Sequence, residues 1–77
     1  MNDAELNQYL KNIGKNIKNK RLKAGLTQED MSEHIDIDYK YYQKIESGKA
    51  NITVKTLLRI CEQLDEKPYD IVRTDEE

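Results

Sequence analysis

Between Tyr39 and Lys44 stand four side chains able to touch a nucleic acid. Lys40 and Lys44 are four residues apart, so on a helix they share one face. A lysine ammonium donates to guanine O6 and N7, or to a phosphate. Gln43 can pair with adenine. Tyr39 can stack on a base, meet a thymine methyl or donate to a phosphate. Upstream, Thr27 and Gln28 open a helical pattern and set an amide beside free N–H groups, which is where phosphates bind. The plainer alternative for each is a solvated side chain that contacts nothing.

These residues need two elements to hold them. The stretch from Thr27 to Gly48 reads as two short helices back to back. Thr27 is an N-cap, with Asp30 three positions on in a capping-box arrangement, and Met31 and Ile35 form one apolar face. Asp36-Ile37-Asp38 is the turn, and Asp38 caps the next helix, which runs to about Ser47 before Gly48 stops it. Ile45, Asp38, Tyr41 and Tyr42 fall on one arc of that helix, and Tyr39, Lys40, Gln43 and Lys44 on the other. Tyr42 reads as core with its hydroxyl at the edge, and Tyr41 as either core or a nucleic-acid backbone contact. Two helices joined by a tight turn form a helix-turn-helix, whose second helix fits the DNA major groove.

The flanks read as further helices. Leu6, Leu10, Ile13, Ile17 and Ala24 form an apolar stripe from about Ala4 to Lys23, ended by Gly25. Gly14 costs about 1 kcal/mol relative to Ala in a helix interior, so the stripe admits two helices, the first a short arm. Thr53 caps a fourth helix with Val54, Leu57, Leu58, Cys61 and Leu64 as its apolar face. Pro68 begins a short fifth helix through Tyr69, Ile71 and Val72. The expectation is an all-α, compact five-helix domain: a helical extension over 1–12, a DNA-binding unit over 13–73 and a frayed acidic tail over 74–77.

Bulk properties bound the class. The 77 residues are 36% apolar and 36% charged, with one Pro and neither Trp nor Phe, which suits one small helical domain. No apolar run approaches the ~18 residues of a membrane span, and no leader pattern opens the chain, so a cytoplasmic protein is expected. A lone Cys61 fits that compartment. The net charge of −2 divides unevenly: −2 over residues 1–10, +5 over 11–59 and −5 over 60–77. A binding face depends on local potential, so the basic middle is either a nucleic-acid footprint or a lysine-rich solvated surface.

Arg21 lies one turn beyond Ile17 on the apolar side of the first helix, and Glu46 lies where a negative charge opposes the helix dipole. Either they form a bidentate pair tying the first helix to the helix-turn-helix, or both are ordinary surface charges. His34 reads as a surface residue near a helix end and Cys61 as a small core residue. No His and Cys cluster is spaced for a metal. The carboxylates fall on solvated faces, so neither catalysis nor a cofactor is expected.

The carriers IGKNIKNKRLKAGLTQEDMSEHI, YYQKIESGK and ITVKTLLRICEQLDEKPYDIV follow one another with family-like gaps. On these, residues 13–72 resemble the Xre-type helix-turn-helix domain of phage repressors and Cro proteins, the lambda-repressor-like fold. The resemblance implies that Gln28 touches a phosphate and braces the recognition helix. It implies that Tyr39, Lys40, Gln43 and Lys44 face the groove, with Lys49 and Asn51 on the opposite backbone. Thr27 and Tyr41 join the expected phosphate contacts, and Arg21–Glu46 is similar to a structural pair of the family. The fifth helix would take part in dimerisation, through Leu64, Tyr69, Ile71 and Val72, unless these only close the core. Asp36 stands where the family often has Gly, and three tyrosines in the third helix are unusual.

The expected function is sequence-specific transcriptional regulation, repression included, on double-stranded DNA. A homodimer would bind a (pseudo)palindromic operator, as do the small regulators of phages and restriction-modification systems. The alternative is an interaction module of the same fold that docks a protein, such as a toxin or a transcription partner.

Overall fold

The computed structural model describes residues 1–74 and contains five helices among them: α1 (Asp3–Lys23), α2 (Gln28–His34), α3 (Tyr39–Glu46), α4 (Val54–Leu64) and α5 (Pro68–Val72). Of the tail expected over 74–77, residues 75–77 lie outside the described residues.

Each boundary has a local cause. Asn2 caps α1 by accepting from the Glu5 N–H at 2.8 Å. Thr27 and Asp30 form a reciprocal capping box on α2. Asp38 and Thr53 cap α3 and α4 by accepting from the Tyr41 and Thr56 N–H groups. Pro68 opens α5, where its missing N–H is no loss. Asp36 takes a left-handed backbone at φ +53°, as the turn requires, and Asp65 ends α4 in the same way.

The first helical pattern is one helix, not two. Gly14 lies inside α1, buried against the end of α3, and a Cβ built there would overlap the carbonyl oxygens of Ile45 and Glu46. The helix accepts a glycine so that two backbones can touch. Gly48 combines φ +76° with Lys11 atoms 2.7 Å from where its Cβ would stand, so it ends α3 and seats it on α1.

The core is Ile17, Met31, Ile35, Tyr42, Ile45, Ile60, Cys61, Leu64 and Ile71. Helix α1 packs on α3, α4 and α5, α2 on α3 and α4, and α4 on α5. Asn16 Nδ2 donates to the carbonyls of Ile71 and Arg73, both at 2.9 Å, and fastens the end of α5 to α1.

Two expected stripes are narrower than their pattern. On α1 only Ile13 and Ile17 pack on the core, while Leu6 is exposed and Ala24 is the exposed C-cap. On α4 the inward face is centred on Thr56, Ile60 and Leu64, which leaves Val54 and Leu58 outside at 70% and 49% exposure. Leu64 and Ile71 are 8% and 0% exposed, closed inside this chain. Of that expected set, Tyr69 is exposed and Val72 half-buried.

Candidate nucleic-acid interface

The site begins at a buried carboxylate. Glu46 ends α3 and is 8% exposed; Arg21 reaches it from α1 and is 6% exposed. Arg21 Nε donates to Glu46 Oε2 at 2.7 Å and Nη2 to Oε1 at 3.1 Å, a bidentate fork. Arg21 Nη1 donates to the Leu26 carbonyl at 2.7 Å, which ties in the connection to α2. The hydrogen bond to Glu46 holds the guanidinium pKa above its ordinary value, against the opposite pull of burial.

Two more donors complete the carboxylate. The Tyr42 hydroxyl donates to Oε2, and Gln28 Nε2 donates to Oε1 at 3.1 Å. Tyr42 is fully buried, hydroxyl included, rather than core with a hydroxyl at the edge. Burial first, and the bond to Glu46 second, push its phenol far above the ordinary range, so it stays a donor. Buried charge is tolerable when every lone pair has a donor. Among the described residues no buried side-chain nitrogen or oxygen lacks a partner.

Gln28 carries the order outward. Its Oε1 accepts from Gln43 Nε2 at 3.3 Å, and the same nitrogen donates to the Tyr39 hydroxyl at 3.1 Å. The entry to α2 is held by its box: Asp30 N donates to Thr27 Oγ1 at 3.0 Å and Thr27 N to Asp30 Oδ2 at 2.8 Å. That backbone N–H lowers the Asp30 pKa from its ordinary value.

The outer side of α3 is exposed at Tyr39, Lys40 and Lys44, with Gln43 half-buried beside them. Tyr41 is half-buried against the core, and its hydroxyl donates to the Asn51 carbonyl at 3.2 Å. It therefore pins the loop that presents the exposed Lys49 and Asn51. The resemblance implies a brace from Gln28 to this helix but not its partner, since two glutamines 15 residues apart leave no periodic signal.

Elsewhere the chemistry is sparse. Burial pushes the Cys61 thiol pKa up, as for a packed core residue. Among the described residues no group of three His, Cys, Asp or Glu is placed to hold a metal, and no helix is long and apolar enough to cross a membrane.

A short capped helix, a left-handed turn and an exposed second helix on a buried ion pair define a helix-turn-helix protein. The helix-turn-helix family model matches residues 17–71, and the chain belongs to that family, of the Xre or lambda-repressor-like type. Family and fold together make it a DNA-binding regulator. No curated protein matches the chain. Among solved structures it is similar to the restriction-modification controller protein C.AhdI from Aeromonas hydrophila, at 26% identity and a TM-score of 0.77, over 80% of this chain and 94% of that one.

Proposed function

We propose that the protein is a sequence-specific transcriptional regulator that binds a (pseudo)palindromic operator as a homodimer, with α3 in the major groove. The observation that carries this reading is the contrast on α3. Its inner side is fixed by the Arg21–Glu46–Gln28 cluster, and its outer side offers Tyr39, Lys40, Gln43 and Lys44. In this reading Thr27, Gln28, Lys49 and Asn51 contact phosphates. Tyr41 acts through the loop it pins. The +5 charge over residues 11–59 supplies the attraction.

One helix-turn-helix makes few contacts, and two spaced one DNA turn apart, ~34–36 Å, multiply them. Val54, Leu58 and Tyr69 are exposed apolar residues of α4 and α5 and support a dimer surface there, with Val72 at its margin. Likeness to a restriction-modification controller supports a role in that class of regulator. The division into an extension over 1–12, a DNA-binding unit over 13–73 and a tail over 74–77 belongs to the same proposal.

The second reading is a module that docks a protein through that apolar face, and it draws on the −5 that the sequence carries over residues 60–77. Titration of duplex DNA at several salt concentrations separates the two. The regulator loses about 0.9 log units of affinity per tenfold salt for each phosphate contacted. Affinity that is flat in salt, or no duplex binding at low salt, favours the docking module. Mass in solution at micromolar concentration tests the dimer, and a monomer that binds a palindrome tightly contradicts it.

A further inference from the structure

The Glu46 carboxylate orients a side chain it never touches. A carboxylate paired with a guanidinium has no proton to give, so it only accepts. Gln28 must therefore face it with the amide nitrogen, at 3.1 Å. That leaves Gln28 Oε1 to accept from Gln43 Nε2 at 3.3 Å. The second proton of the same nitrogen is directed at the Tyr39 hydroxyl, 3.1 Å away. Both amide protons of Gln43 are engaged, and its carbonyl oxygen remains for a ligand. Turning the amide over would set oxygen against oxygen at Gln28.

Resting on the DNA-binding reading above, we propose that Gln43 is a specificity-determining residue of one polarity, an acceptor for the exocyclic amino group of adenine or cytosine. Gln28 and Glu46 are its positioning residues. In the major groove adenine and cytosine present amino groups, while guanine and thymine present carbonyl oxygens. An unrestrained glutamine grips adenine alone, through N6 and N7, and needs an amide proton to do so. Gln43 has no such proton to offer. It accepts adenine and cytosine alike on the strand it faces and refuses guanine and thymine. Tyr39, which accepts from Gln43, keeps its own proton for a phosphate or a base oxygen.

The test is selection of bound sites from a random duplex pool by the full chain, by Gln43→Ala and by Gln28→Leu. Each protein is then titrated on four duplexes that differ at the affected position. Gln43→Ala identifies that position as the one whose preference collapses. There the wild type favours adenine and cytosine over guanine and thymine by roughly tenfold, the worth of about one hydrogen bond. Gln28→Leu frees the amide, so the preference narrows to adenine or disappears, with the other positions unchanged. Selection of adenine alone, guanine or thymine by the wild type overturns the proposal. So does a Gln43→Ala that relaxes no position, or a folded Gln28→Leu that keeps the wild-type pattern. Should Gln28→Leu not fold, the wild-type pattern at the Gln43 position still decides. A wild type that enriches no sequence removes the DNA-binding reading itself, whereas enrichment of the wrong base removes only the polarity of Gln43.

Discussion

The two sides of α3 hold polar groups in opposite conditions. On the inner side the Glu46 carboxylate receives Arg21, Tyr42 and Gln28, and Tyr42 and Ile45 pack beside it with almost no exposure. On the outer side the side-chain ammonium groups of Lys40 and Lys44 take part in no hydrogen bond or ion pair among the described residues. A satisfied polar cluster rigidifies what it holds, and unengaged donors are what a polyanion needs. The inner side sets where the helix stands, and the outer side carries the groups open to a partner. Changes on one side should therefore move stability, and changes on the other should move binding.

The largest effect is expected at the ion pair. Arg21→Ala leaves Glu46 buried without its guanidinium and should cost about 3–5 kcal/mol of stability. The Arg21→Ala, Glu46→Ala double variant should lose less than the two single losses together, as read by urea denaturation. Additive losses would mean that the two charges do not act as a pair.

Tyr42→Phe comes next. It keeps the packing and removes one donor from the carboxylate, at a cost of about 2 kcal/mol. A thermal midpoint equal to the wild type would show that Arg21 and Gln28 satisfy Glu46 alone.

The α2 cap gives a smaller effect that depends on pH. The folded-state pKa of Asp30 lies below its ordinary value, so its contribution is present above that value and lost as pH falls through the folded pKa. Asp30→Asn should therefore flatten the acid limb of a stability profile and change little once the pH is below the folded pKa of Asp30. Thr27→Ala, which removes the other half of the box, should cost about 1 kcal/mol at neutral pH. A steeper acid limb in Asp30→Asn would reverse the sign of this account.

The smallest effect on stability is expected outside. Lys40→Ala and Lys44→Ala should stay within about 0.5 kcal/mol of the wild type, as exposed substitutions do. Each should nonetheless weaken duplex binding and, where it contacts a phosphate, reduce the salt slope by about 0.9. Destabilisation without a change in binding would exchange the roles of the two sides.

Local chemistry was legible in the sequence, and contacts across space were less so. The caps at Thr27, Asp38 and Thr53, the left-handed Asp36 and the stops at Gly25 and Gly48 each depend on a few neighbouring residues, which a linear reading can inspect. Gly14 looked like a break because the α3 carbonyls that require it lie about 30 residues away in the chain. Leu64 and Ile71 looked available because periodicity marks an apolar side and not what covers it; here α1 and α4 close over α5. Val54 and Leu58 were assigned inward for the same reason, until Thr56 and Ile60 defined the true inner line of α4. Arg21 and Glu46 were visible as charges in awkward places. The relay beyond them was not, because hydrogen-bond polarity follows from geometry that spacing does not carry.

The central claim is that DNA meets the outer side of α3. The most direct measurement is a map of backbone amide chemical shifts in the full chain as duplex is added at low salt. The account predicts perturbations over Thr27–Gln28, Tyr39–Lys44 and Lys49–Asn51, which fade as salt is raised. Perturbations confined to α4 and α5 around Val54, Leu58 and Tyr69, or none at all, would contradict it.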